Sequence, residues 1–137
     1  MKLALLVGLM GLTLMGQAAL AADCDRAGDQ TQINACADGA YKQIDNEMGD
    51  AYSKLKKRYL IMPAVHAALV KAQRGWLMFR DAECNLEKAG EDGNTAQPMV
   101  FSMCLSRLTR ARIEQIQIRL NCQAGDLTCI AAGDAAD

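Results

Sequence analysis

Apolar residues recur at spacings of three and four along three segments of the chain, as they do in helices that bury one face. The first segment covers roughly residues 30 to 60. The second extends from Pro63 to about Ala89, and the third from about Pro98 to Leu120. No stretch alternates apolar and polar residues in the manner of a strand. The pattern therefore predicts three helices.

Each segment has an apolar stripe that we expect to face the core. The first stripe consists of Ile33, Ala37, Ala40, Ile44, Met48, Ala51, Leu55 and Tyr59. The second consists of Val65, Leu69, Ala72, Trp76 and Phe79, and the third of Phe101, Leu105, Leu108, Ile116 and Leu120. Three helices joined by short loops can hide such stripes together when they run up, down and up. The predicted fold is an all-α, up-down-up helical bundle.

Short sequence signals mark the ends of these helices. Pro63 and Pro98 each stand at the start of a segment, where proline is favoured because the first turn needs no backbone N–H donor. Asp29 with Gln32 three residues later resembles a capping box. Gly90 follows the second segment and precedes a polar loop, which favours a helix end at this position.

The first 21 residues have the organisation of a secretory signal peptide. A basic residue precedes an apolar run at positions 3–15, which is shorter than the ~20 residues needed to span a bilayer. Small residues then predict cleavage after Ala21 or Ala22. Asp23 stands directly before Cys24, where a lipid-anchor signal requires a small residue. We therefore expect export to the periplasm or beyond without a membrane anchor.

Six cysteines follow the predicted cut: Cys24, Cys36, Cys84, Cys104, Cys122 and Cys129. An even number of cysteines in a small exported chain predicts a disulfide framework that cross-links the bundle. Proximity in sequence favours the pairs Cys24–Cys36, Cys84–Cys104 and Cys122–Cys129, although other pairings remain open. The chain has no C-x-x-C motif and only one histidine, which argues against a thioredoxin-like or zinc site, and we expect no cofactor.

By its length the exported part is one domain. We assign residues 24–122 to the helical domain and residues 123–137 to a short disulfide-closed turn and an acidic tail. The formal net charge is −1 for the whole chain and becomes −2 when the signal, with its one basic residue Lys2, is removed. This mild acidic excess argues against nucleic acid as a partner.

The segment AQRGWLMFRDAEC, residues 72–84, holds the only tryptophan of the chain among polar residues. At ~100° per residue Trp76 lies on the apolar stripe, Gln73 and Arg80 lie together at its edge, and Asp81 points away. A tryptophan at this spacing is typical of a core residue, and it would dominate the packing of so small a domain.

Two interpretations of Arg80 remain open at this stage. In the first, its guanidinium lies over Trp76 or pairs with a carboxylate of a neighbouring helix, and Asp45 is the natural partner. In the second, Gln73, Arg80 and Arg112 form a polar groove that faces a ligand.

A Cys84–Cys104 disulfide would hold both ends of the loop between the second and third helices. Lys88, Asn94 and Thr95 lie near the tip of this loop, and recognition residues are often found on loops that a rigid scaffold fixes. The alternative is a solvated connector. The chain contains no nucleophile-elbow, zinc-protease or phosphate-loop motif, so we do not expect an enzyme.

Gln73-x-x-Trp76, followed by Phe79-Arg80-Asp81-Ala82-x-Cys84, resembles the signature of the LprI-type lysozyme inhibitor family. The segment YKQIDNEMGDAYSKL, which contains Tyr41 and Asp45, is similar to another helix of that family. So is the segment from Cys104 and Leu105 to Leu108-Thr109-Arg110-Ala111-Arg112. The resemblance covers about residues 24 to 120.

The resemblance implies a small exported bacterial protein that binds and inhibits lysozyme and so protects peptidoglycan. We expect the signature residues to be mainly structural: Asp45, Gln73, Trp76, Arg80, Asp81 and Arg112. The loop residues Lys88, Asn94 and Thr95 are then the candidate contacts, because they can offer hydrogen-bond donors to the two carboxylates of a lysozyme cleft. The alternative function is an interaction module on the same scaffold, which binds another envelope protein or a peptidoglycan fragment.

Overall fold

The computed structural model describes residues 24, 28–123, 125–126 and 130. Its helices are α1 (Gln30–Arg58), α2 (Pro63–Ala89) and α3 (Gln97–Leu120), and the described residues include no strand. The predicted all-α helical bundle is confirmed. The predicted signal peptide and most of the acidic tail lie outside the described residues.

The helix ends follow the local signals of the sequence. The side chain of Asp29 caps α1 by accepting a hydrogen bond of 2.9 Å from the backbone N–H of Gln32. Pro63 and Pro98 lie in the first turns of α2 and α3. After α2, Gly93 has a φ of 76°, a left-handed conformation that glycine adopts without strain.

Hydrogen bonds at both ends of the bundle show that α1 and α3 run in the same direction. Near the amino ends, Nδ2 of Asn34 donates to the carbonyl of Thr95 over 2.9 Å. Near the carboxyl ends, Nη1 of Arg58 donates to the carbonyl of Leu120 over 2.6 Å. The intervening α2 runs in the opposite direction, so the topology is up-down-up. The third helix packs against both others, whereas α1 and α2 touch little.

The core consists of two apolar clusters along α3. The larger cluster contains Met48, Ala51, Leu55, Tyr59, Leu69 and Ile116, with Trp76 packed against it. The smaller contains Cys84, Cys104 and Leu105. The predicted stripes of α1 and α3 face these clusters, and every member of both stripes is buried or half-buried.

The stripe predicted for α2 is partly wrong. Ala72 is exposed and 54% of Phe79 is exposed, whereas Leu69, Gln73, Arg80 and Cys84 are buried. The helix is rotated so that Cys84 faces Cys104, and Cys84 lies about 140° around the helix from Phe79 at ~100° per residue. The helix α2 buries the face that carries Cys84 and leaves Phe79 largely in water.

Two disulfides cross-link the described residues, Cys24–Cys36 and Cys84–Cys104. These are two of the pairs that sequence proximity favours. The second joins the end of α2 to the start of α3, with 5.5 Å between the Cα atoms. The predicted Cys122–Cys129 pair stays a prediction, because Cys129 lies outside the described residues. None of the described helices is both long and apolar enough to cross a membrane.

Candidate functional site

Two arginines lie against the ring of Trp76, where the three helices meet. Cζ of Arg80 lies 5.2 Å from the ring centroid, and Cζ of Arg112 lies 5.7 Å from it. Arg80 comes from the same helix as the tryptophan and Arg112 comes from α3. Both guanidiniums are attracted by the negative face of the indole, so the ring links α2 to α3 electrostatically as well as by packing.

Arg80 is neutralised by two carboxylates. Its Nη1 lies 3.0 Å from Oδ1 of Asp45 on α1, and its Nη2 and Nε each lie 2.9 Å from Oδ1 of Asp81. Burial acts to lower the pKa of Arg80, but the hydrogen bond to Asp81 and the nearby charges raise it above its ordinary value. Asp81 is exposed, so it points away from the apolar stripe as predicted, and the long Arg80 side chain turns back to reach it.

Arg112 is buried to the same degree but has a different set of partners. Its Nε donates to Oε1 of Gln73 and its Nη1 to Oε1 of Gln115, each over 3.0 Å. Gln73 in turn donates to Sδ of Met48 over 3.1 Å. No carboxylate among the described residues forms an ion pair with Arg112. Burial and the charge of Arg119 lower the pKa of Arg112.

These contacts show that the three residues of the predicted polar groove have different roles. Gln73 and Arg80 are 5% and 7% exposed and use their polar atoms to join helices. Arg112 also joins helices, but it lines an open groove between α2 and α3 as well. The geometry therefore favours the structural interpretation for Gln73 and Arg80, whereas Arg112 both joins helices and lines a groove.

The loop between α2 and α3 is held at several points besides the Cys84–Cys104 disulfide. The amide of Asn94 donates to Oε2 of Glu91 over 2.8 Å and accepts from the backbone N–H of Ala96 over 3.0 Å. Thr95 is exposed, and its carbonyl is bonded to α1. The predicted place of Lys88 near the tip of the loop is wrong, because Lys88 lies in the last turn of α2. Its ammonium lies 5.4 Å from the centroid of the Phe101 ring. The loop therefore presents its polar residues from a fixed backbone.

Two open grooves lie along α3. The first, between α1 and α3, has a volume of about 380 Å³ and is lined by Met99, Met103 and Arg107 among others. The second, the α2–α3 groove, has a volume of about 390 Å³. It is lined by Ala64, Val65, Ala68, Leu69 and Ala72 of α2, Arg112 and Arg119 of α3, and Tyr59 and Ile130.

The sequence interpretation missed Arg119 and the α2–α3 groove. The spacing of seven residues between Arg112 and Arg119 places both on one face of α3, and this signal could have identified the pair. The apolar wall comes from another helix and has no signature of its own. Within the described part of the chain, no group of three or more histidine, cysteine or acidic side chains is arranged to hold a metal ion.

The model of a protein family described as "Lysozyme inhibitor LprI" matches residues 22–116. This chain belongs to the LprI family. The matched range contains Trp76 with Arg80 and Arg112, the loop and both described disulfides, so the resemblance of the sequence motifs is confirmed. An uncharacterized protein of Rhizobium meliloti (strain 1021) is 34% identical over 106 residues, which is 69% of this chain and 76% of that protein. No solved structure matches this LprI family member.

Proposed function

We propose that this LprI family member is an exported inhibitor that binds lysozyme and thereby protects peptidoglycan in the periplasm or outside the cell. The observation that carries the proposal is the family match over residues 22–116, which spans α1, α2 and most of α3. The two disulfides support it, because such bonds persist in oxidising compartments outside the cytoplasm. The proposed action is binding and needs no catalytic residue.

The proposed contact surface consists of Asn94 and Thr95 on the loop between α2 and α3, together with Lys88 in the last turn of α2. A loop already fixed before binding loses little conformational entropy when a partner meets it. Lysozymes cleave with two carboxylates in a cleft, and the ammonium of Lys88 and the hydroxyl of Thr95 are donors suited to such groups. The amide of Asn94 already forms hydrogen bonds with Glu91 and Ala96, so it also stabilises the conformation of the loop.

A calorimetric titration against a c-type lysozyme tests this surface. Replacing both Lys88 and Asn94 with alanine should weaken binding by at least about tenfold, because two polar contacts are lost at the centre of the interface. The matched control replaces Lys54 and Asn46, which are exposed on α1, and should change the affinity by less than about twofold. Equal affinities of the two folded double variants would exclude the loop as the contact.

The alternative function predicts a different outcome in the same experiment. An interaction module for another envelope component would show no binding to lysozymes of any type. It would instead bind soluble peptidoglycan fragments or another envelope protein. The two open grooves along α3 favour this second function, because each offers a surface on which another partner could bind.

A further inference from the structure

The two buried arginines that lie against the Trp76 ring differ in one respect that packing does not explain. Arg80 is 7% exposed and has carboxylates of Asp45 and Asp81 within 3.0 Å. Arg112 is 8% exposed, touches the same indole ring and is bonded only to neutral amides. Buried charges are normally paired, since an unpaired buried charge is costly. Arg112 is therefore a buried cation without a counter-ion among the described residues.

The surroundings of Arg112 increase this positive charge. Arg119, seven residues later on α3, lines the same α2–α3 groove, and its charge acts to lower the pKa of Arg112. None of the described residues that line this groove is acidic. The residues that α2 contributes to the groove are small or branched and apolar, and they include Ala68 and Leu69. The groove is therefore lined by two arginines of α3 and by apolar residues of α2.

We infer that the α2–α3 groove binds an acidic side chain of a partner protein, presented next to a small or branched apolar residue. Guanidinium groups bind carboxylates through paired, charge-assisted hydrogen bonds, and a carboxylate here would supply the missing counter-ion of Arg112. A volume of about 390 Å³ is at the lower end of the range for ligand sites, so it suits a few residues of extended peptide.

This inference goes beyond the proposed function. The site lies between α2 and the carboxyl half of α3, whereas the proposed lysozyme contact lies on the loop that joins the amino end of α3 to α2. Arg119 also lies beyond the residues that the family model matches. A protein that does not bind lysozyme could still bind an acidic peptide in the groove, and a protein that does not bind the peptide could still inhibit lysozyme.

The test is a calorimetric titration of the oxidised protein with the peptide acetyl-Leu-Ala-Glu-amide and its matched partner acetyl-Leu-Ala-Gln-amide. The glutamate peptide should bind at least about tenfold more tightly, and salt should weaken its binding, because the contact is between charges. Equal affinity of the two peptides, or no binding of either, would overturn the proposal.

Variants locate the site. Arg119→Gln, at an exposed position, should weaken binding of the glutamate peptide by about fivefold or more, and Arg112→Met should abolish the preference for glutamate over glutamine. Arg74→Gln, an exposed arginine of α2 that does not line the groove, should leave the affinity unchanged. Circular dichroism shows whether each variant is folded. A loss with Arg74→Gln equal to that with Arg119→Gln would show nonspecific attraction and overturn the site.

The other source of a carboxylate is the chain itself, because Asp134 and Asp137 follow Ile130, which lines the groove. The double variant Asp134→Asn and Asp137→Asn distinguishes the two sources. Unchanged affinity for the glutamate peptide supports a partner protein as the occupant. An increase of about fivefold or more would show that the tail competes for the groove at high effective concentration, which would overturn the proposed occupant.

Discussion

Replacing Asp45 with asparagine removes one of the two carboxylates that neutralise the buried Arg80, while the size of the side chain stays the same. The pair joins α1 to α2, two helices that otherwise touch little. The asparagine oxygen can still accept a hydrogen bond, so the change isolates the contribution of the charge. Because Asp81 remains in place, the guanidinium keeps one partner.

The magnitude follows from the distance and the exposure. Two unit charges about 4 Å apart attract by about 4 kcal/mol at an effective dielectric constant of ~20. The side chain of Asp45 is 43% exposed, so water screens it, whereas that of Arg80 is 8% exposed. We therefore expect Asp45→Asn to lower the free energy of unfolding by about 1–2 kcal/mol, which lies between the values for exposed and buried pairs.

Urea denaturation at neutral pH, with the disulfides intact and helicity as the signal, measures this loss. Asp38→Asn is the matched control on the same helix, since Asp38 forms an exposed ion pair with Lys42 four residues later. The control should cost less than about 0.5 kcal/mol. If the two variants were equally stable, the reasoning that the Arg80 pair contributes through burial would be refuted.

Three further predictions use the same measurement. Thr109→Val should raise the free energy of unfolding by about 1 kcal/mol, because the fully buried hydroxyl has no hydrogen-bond partner among the described residues; a loss would show that the hydroxyl is bonded. Burial raises the pKa of Tyr41. The contribution of its neutral phenol to the free energy of unfolding is therefore complete below pH ~10 and is lost as the pH rises through the raised pKa. The alkaline decline in stability should accordingly be smaller in Tyr41→Phe, and an unchanged decline would contradict the burial argument. Trp76→Ala should cost about 3 kcal/mol and Phe79→Ala less than about 1 kcal/mol, since Phe79 is 54% exposed; the reverse order would contradict the observed rotation of α2.

Much of the fold could be predicted from the sequence, because its signals are local. Apolar spacing together with Pro63 and Pro98 located the three helices to within a few residues. Nearness in sequence favoured the Cys84–Cys104 pair, and the length of an arginine side chain made its contacts with Trp76 and Asp45 foreseeable.

The orientation of α2 could not be predicted in this way. Ala72 and Phe79 continue an apolar stripe, but Gln73 and Arg80 take the inward face together with Cys84. Hydropathy treats a glutamine or an arginine as solvent-seeking, whereas partners on other helices satisfy these side chains in the interior. Such partners become visible only when the three helices are assembled.

Of the candidate sites, one could be predicted from the sequence and the other could not. Lys88, Asn94 and Thr95 were identified because they lie close together in sequence, and the structure places Asn94 and Thr95 on the loop and Lys88 in the last turn of α2. The α2–α3 groove was missed because its walls are far apart in sequence, with Ala68 on one helix and Arg119 on the other. Patterns within one helix do not report on a surface that two helices form together.

The most direct test of the central claim is a turbidity assay of bacterial cell lysis, with the oxidised protein titrated against a c-type lysozyme and then against other lysozyme types. The proposed function predicts that lysis slows in proportion to added protein and stops near a one-to-one ratio with at least one lysozyme. If every lysozyme type lysed the cells at an undiminished rate, and the added protein was shown to be folded and disulfide-bonded, the inhibitor function would be contradicted.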